Sequence, residues 1–291
     1  MLQGVGIAGP AILGYLIVAD ECPVEKQASL MGILNGMVTF GVAFAPVIGS
    51  YVNFYFNWRA NFMVLLGLGL LVFATSFWAV PVKPSNPAIS LSPKAYFPLL
   101  KSLKIWVFVG AITFFCVPYW FFIGISPLLY MENLGVSLKE FGYYQGSIAL
   151  TFGLISFTSG LLIKWFGKKI CLNAGLGVFG LSSIFLLALS FWEHQTPLMI
   201  TLGMLFLAAG IIFPVNIFYP DFLHILEDSK GRSAALFTFC RLMLTAFFLE
   251  FISAIYGGKF FLIGISLFLM SFLAVFLSWI IIKKKWISYD Q

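Results

Sequence analysis

Two charged side chains stand where charge is expensive. Arg241 and Glu250 lie inside one apolar run, residues 234–256, and a charge at the centre of a membrane helix costs on the order of 2.5–3.5 kcal/mol on insertion scales. Each needs a partner, water or a headgroup. At about 100° per residue they project from opposite sides of a single helix and cannot neutralise each other. Arg241 therefore either faces a cavity or gate, or snorkels into an interface or a structural ion pair. Glu250 is the one acid well inside a span. It is a proton-carrier candidate, because a carboxyl in a low-dielectric setting can exchange a proton in the working range of a transporter; the alternative is again a structural pair. Asn216 and Tyr219 lie near the end of a second run, and Tyr119, Trp120 and Tyr130 along a third. Amide and aromatic groups of this kind suit a roomy pocket for an amphiphile, and equally an interfacial belt or ordinary packing.

Other chemistries find no support. Cys22, Cys116, Cys171 and Cys240 are far apart, with no CxxC and no His pair beside them, so they read as small packing residues rather than disulfides or metal ligands. His194 and His224 fall in loops and read as solvated. Two segments, Gly4 to Gly9 and Gly175 to Gly180, imitate a dinucleotide fingerprint, but neither follows a strand or opens a soluble βαβ unit, so both read as packing glycines. With no paired histidines, acid cluster or nucleophile constellation, the chain is not expected to be an enzyme, and no cofactor or metal is expected.

The elements that hold these residues are set by composition. Hydrophobic residues make up 61% of the chain and charged ones 10%, with a mean hydropathy of +1.00. Water is not the solvent of such a chain. A hydrocarbon core about 30 Å thick needs roughly 20 apolar residues in a helix, and nine runs qualify: residues 2–19, 30–55, 62–80, 105–131, 142–163, 170–192, 198–219, 234–256 and 260–282. Only helices satisfy every backbone group of such runs inside a bilayer, and the runs are too long and too continuously apolar for barrel strands. The expected fold is all-α, a polytopic membrane protein with nine transmembrane helices.

Basic loops stay on the cytoplasmic side. The intervals 20–29, 81–104, 164–169 and 220–233, together with the tail from Lys283, hold 13 of the 17 Lys and Arg, which puts the carboxyl terminus in the cytoplasm. The net charge of +6 is thereby explained by topology, and nucleic acid is not an expected partner. Residues 81–104 carry five prolines and four lysines with no long apolar run and read as a linker. Three spans precede it and six follow. Transporters are commonly assembled from three-helix repeats, so a further triplet ahead of Met1 would complete two six-helix halves.

Several motifs carry a family resemblance. Gln3-Gly4-Val5-Gly6 resembles the start of the fourth helix in the major facilitator superfamily, although the family's arginine three places earlier would fall before Met1. The stretch from Gly41 through Pro46 to Gly49 resembles the fifth-helix motif of the drug/proton antiporters, and Asn57-Trp58-Arg59-Ala60-Asn61-Phe62 the start of their sixth helix. Ser126 to Tyr130, Gly135 to Ser137 and Glu140 to Gly142 are similar to the seventh-to-eighth helix region of the bicyclomycin-resistance (Bcr/CflA) branch. Gly231 to Leu236, with Arg241 five residues beyond, is similar to that branch as well. Gly41, Ala45 and Gly49 recur on one helix face, where a neighbouring backbone could approach closely, and Pro46 can bend the helix.

The resemblance implies a division into residues 1–80, the remainder of an amino-terminal bundle; a cytoplasmic linker, 81–104; a carboxyl-terminal six-helix bundle, 105–282; and a tail, 283–291. It implies transport or gating roles for Arg241, Asp20, Arg59, Gly41, Pro46 and Gly49, with Asp20 matching an acid that pairs with basic residues of an upstream loop. The implied activity is proton-coupled export of small amphiphilic compounds from a bacterial inner membrane, with lipids and a small-molecule substrate as partners. Also open are metabolite import, a non-transporting remnant, and one piece of a split transporter whose partner is an amino-terminal three-helix fragment.

Overall fold

The computed structural model describes residues 2–79, 96–226 and 229–287. In chain order its helices are α1 (Leu2–Glu21), α2 (Val24–Tyr55), α3 (Trp58–Ala79), the short α4 (Phe97–Lys101), α5 (Leu103–Pro127) running into a π-helical turn (Leu128–Asn133), α6 (Leu138–Phe166), α7 (Lys168–Ser190), α8 (Pro197–Leu223), α9 (Lys230–Ile255) and α10 (Phe260–Lys283). Every expected span falls on one of them. Among the described residues seven, α3 and α5 to α10, are long and apolar enough to cross a membrane. The chain is an all-α integral membrane protein.

Helix ends follow local chemistry. Ser137 and Glu140 form a capping box, the Ser137 N–H and Oγ–H donating to Glu140 Oε2 at 3.1 and 2.8 Å while the Glu140 N–H donates to Ser137 Oγ, which satisfies donors otherwise orphaned at a helix start. That is the physical content of the Gly135-to-Gly142 motif. The turn between α6 and α7 is Gly167 alone, at φ +84°, a conformation that a side chain disfavours. The π-helical turn follows Pro127, whose ring cannot donate to the helix ladder.

Helices α5 and α8 are the centre of the main bundle. Some 67% of the most apolar stretch of α5 is buried, against none of that of α3. Phe115 links the two central helices and α7, its ring 4.8 Å from Phe179 and 6.4 Å from Phe218. Helices α7 and α8 cross where small residues let their backbones meet. A Cβ on Gly210 would lie 2.5 Å from the Phe179 backbone nitrogen, and one on Gly175 2.8 Å from Pro214 Cδ. Gly175 is thus a packing glycine, as its apolar setting suggested; Gly177 and Gly180 of the same segment, and Gly6 and Gly9 of the other, have no described atom within 4 Å of such a Cβ. Backbone cannot swing aside as a side chain can, so Gly210→Ala is expected to destabilise the bundle by about 1–3 kcal/mol, read as a melting temperature lowered by several degrees in detergent.

The remaining helices attach along a seam. α2 packs along α6 and touches α8, α1 touches α2 and α9, and α3 rests on α2. Residues 81–95 of the expected linker lie outside the described residues, while 97–101 form α4 and Ser102 caps α5. The tail is anchored at its start: Ile287 is buried and the Trp286 ring stacks 6.4 Å from Phe108.

Candidate functional site

The seam encloses a cavity of about 160 Å³. Its walls follow helical spacing. Ile212, Asn216 and Tyr219 share one face of α8, Phe237 and Arg241 one face of α9, and Cys116, Tyr119 and Trp120 come from α5, with Tyr15 of α1 and Asn35, Val38 and Thr39 of α2 opposite. Both helix groups contribute, so the site exists only where they meet.

Arg241 brings the charge. Its guanidinium carbon lies 5.9 Å from the Trp120 ring and 6.0 Å from the Phe237 ring, distances at which a cation is attracted to an aromatic face. Its Nε is buried with no hydrogen-bond partner among the described residues. Tyr119 packs on Phe152 at 4.9 Å and edge-on to Trp120 at 5.5 Å, and its buried hydroxyl likewise has no described partner. No described carboxylate lines the cavity.

A chain of hydrogen bonds runs from the cavity lining into α6. The Tyr15 hydroxyl donates to Asn35 Oδ1 (2.7 Å), Asn35 Nδ2 to Asn216 Oδ1 (2.8 Å), Asn216 Nδ2 to Ser159 Oγ (3.1 Å), and Ser159 Oγ to the Ser156 carbonyl (2.7 Å). Four helices are joined by one relay: α1, α2, α8 and α6. Beyond it, toward the α1–α2 and α8–α9 loops, Lys230 Nζ donates to Asp20 Oδ1 at 2.8 Å and to the Ala19 carbonyl at 3.2 Å. Gln27 donates to the Ala19 and Cys22 carbonyls, and its Oε1 accepts from His224 Nε2 at 3.0 Å.

A profile of the Major Facilitator Superfamily matches residues 1–248. The chain belongs to this superfamily. Among its curated relatives are the multidrug resistance protein MdtL of Shigella flexneri, 29% identical over 216 residues, 74% of this chain and 48% of the relative, and that of Salmonella typhimurium, 28% identical over 186 residues, 61% and 46% respectively. The chain thus spans about half the length of the relatives it matches.

The residues singled out from the sequence are used unevenly. Arg241, Asn216, Tyr119, Trp120 and Tyr219 meet in the cavity. Tyr130 does not; the π-helical turn carries it to α8, where its hydroxyl bonds Thr201 Oγ1 at 2.7 Å. Glu250 is exposed and absent from the cavity wall, as its half-turn offset from Arg241 requires. Glu250→Gln is therefore expected to leave the pH dependence of transport unchanged, and a shifted pH profile would restore it as proton carrier. Arg59 is exposed beside the Trp58 ring, 5.3 Å away, and is not among the residues lining the cavity. Asp20 pairs with Lys230 of α9, a partner not expected from the sequence. His224, expected to be solvated, is hydrogen-bonded to Gln27. Gly41, expected to accept a neighbouring backbone, has no described atom within 4 Å of a Cβ, and Gly49 only Asn61 Oδ1 at 3.7 Å; the side chain of Pro46 lies outside the described residues. The close approach occurs earlier on α2, at Gly32 and Gly36, because those glycines face α6.

Tyr15, Asn35, Ser159 and Lys230 were not singled out from sequence. For Asn35 a signal existed: an amide within an apolar span has to find a partner on another helix or in water.

Proposed function

We propose that the chain acts as a proton-coupled exporter of small amphiphilic compounds, of the bicyclomycin-resistance branch, in a bacterial inner membrane. Residues 1–80 and 105–282 act as two bodies that rock about the cavity, with 81–104 as their linker and the carboxyl terminus in the cytoplasm. One observation carries this reading: the cavity is walled by both helix groups, so relative motion of the groups must open or close it. The polar seam supports it. An ion pair and amide bonds can be exchanged for water when the groups part, whereas a fully apolar interface could not be solvated so readily.

The multidrug resistance names of the MdtL relatives agree with a drug-like cargo. In the proposed cycle Asp20 and Lys230 hold the cytoplasmic end shut while the opposite end is open. Their side chains are 50% and 16% exposed, so the pair stabilises by no more than about 1 kcal/mol and can break in each cycle. A double-mutant cycle with Asp20→Ala and Lys230→Ala in thermal denaturation is expected to give a coupling within that bound. The wholly unburied face of α3 is the surface that lipid or an amino-terminal three-helix fragment would cover.

The test is accumulation of a fluorescent amphiphile in everted membrane vesicles, driven by an imposed pH gradient. The chain is assayed alone and with a co-expressed amino-terminal three-helix fragment. Gradient-dependent uptake by the chain alone, collapsed by a protonophore, is the expected result. Uptake only with the fragment would mean a split transporter, and movement in the reverse direction an importer. Absence of movement in both preparations would mean a non-transporting remnant.

A further inference from the structure

The cavity lining carries one charged side chain. Its cation, Arg241, is flanked by the Trp120 and Phe237 rings and has a buried Nε without a described partner. A second unpartnered donor belongs to another lining residue, the hydroxyl of Tyr119 on α5, a residue 2% exposed. The other polar groups are neutral. Asn35 and Asn216 already spend their amides on the relay, and the Thr238 hydroxyl donates to the Ala234 carbonyl. Two donors without a described partner, one of them on the charged side chain, thus belong to residues lining a cavity that has no described carboxylate.

We infer that the cavity binds the anionic head of a ring-bearing organic acid, the carboxylate or a similar oxyanion taking Arg241 and Tyr119 while its ring lies among Trp120, Phe152 and Phe237. A guanidinium fork suits a carboxylate. Size agrees: an apolar cavity of about 150 Å³ holds benzene, so about 160 Å³ takes one ring with a small head. A lipophilic cation is disfavoured, since it would face Arg241 with no described counter-charge. Naming an organic acid as cargo rests on the export reading, but the binding preference itself does not.

The experiment is equilibrium dialysis of radiolabelled benzoate against the purified chain in phosphatidylcholine nanodiscs, competed by unlabelled benzoate, benzamide, benzamidinium or inorganic phosphate. The three organic probes share a shape and differ in charge. Benzoate is expected to compete at a concentration at least tenfold below benzamide, with benzamidinium and phosphate ineffective. Arg241→Gln should erase the preference of benzoate over benzamide, and Arg241→Lys should keep part of it. Tyr119→Phe should raise the melting temperature of the ligand-free protein, because a buried hydroxyl without a partner is removed, yet weaken benzoate severalfold. Equal competition by benzamide, tighter binding of benzamidinium, or full benzoate affinity in Arg241→Gln would overturn the proposal. Phosphate competing as well as benzoate would overturn it too, assigning the site to a headgroup or free phosphate. If Arg241→Gln fails to fold, the order of the probes on the native chain and the Tyr119→Phe pair of readouts still decide. A chain that binds benzoate but moves nothing in vesicles would sink export alone; one that exports cations while preferring benzamidinium would sink this inference alone.

Discussion

Gly32→Val is expected to force α2 away from α6 and to reduce transport at least tenfold, while Gly41→Val is tolerated. At Gly32 a Cβ would lie 2.6 Å from the Ser156 carbonyl oxygen and would overlap Ser159 Oγ, and the Ser156 hydroxyl donates to the Gly32 carbonyl at 2.9 Å. The next contacts along the seam are as close: a Cβ on Gly36 would be 2.7 Å from the Phe157 ring, and one on Gly153 3.2 Å from Phe40. The helices run antiparallel through this ladder, and in lipid such close backbone contact is what holds helices together. Overpacking costs about 1–3 kcal/mol, and valine adds two further carbons beyond the one already blocked. Melting temperature separates a folding defect from a blocked movement. A drop of several degrees in Gly32→Val with none in Gly41→Val places the packing seam at Gly32; the opposite ranking would return that role to the Gly41-to-Gly49 face.

How much of this was legible in the sequence depends on what hydropathy can encode. The helices were, because a bilayer demands about twenty apolar residues for each crossing, and residues 2–19 and 260–282 fell on helices α1 and α10 nearly to the residue. The face each helix turns inward was not. Lipid and protein interior are both apolar, so Leu and Phe carry no mark of which they touch. Phe115 is buried in the bundle and Phe73 is exposed on α3, yet both sit in uniformly apolar runs. Charge was more informative: the half-turn between Arg241 and Glu250 required that they face opposite sides of one helix, though not which of them lines a cavity. Tyr130 could not be placed without the π-helical turn, since a change of helical pitch after Pro127 redirects each later side chain of that segment. Asp20 and Lys230 are 210 positions apart, and no local pattern in either segment links them.

Asn216→Leu is expected to be the most damaging single change in the cavity wall. Leucine is close in size, so the loss is of hydrogen bonds rather than of volume. Asn35 Nδ2 would lose its acceptor and Ser159 Oγ a donor, while Tyr15 to Asn35 and Ser159 to Ser156 would remain. One buried amide left unsatisfied costs about 1–3 kcal/mol, although interhelical hydrogen bonds measured in membranes average nearer 0.6. Asn216 is 1% exposed and lies on the seam rather than at its rim, so water cannot readily replace the lost partner while the seam is closed. The cost is therefore expected toward 2 kcal/mol, and it falls on the closed arrangement alone, because open helices would let water reach Asn35. The variant should favour opening. Cys116 lines the cavity and reports this directly: a water-soluble thiol reagent, followed by mass spectrometry, should modify it severalfold faster in Asn216→Leu than in the native chain. Coupling supplies the second readout. If Asn35→Leu and Asn216→Leu together cost as little as the larger of them alone, the two amides act as one latch between α2 and α8. Simple additivity with an unchanged Cys116 rate would mean that the amides contribute to stability separately and leave the opening of the cavity to other contacts.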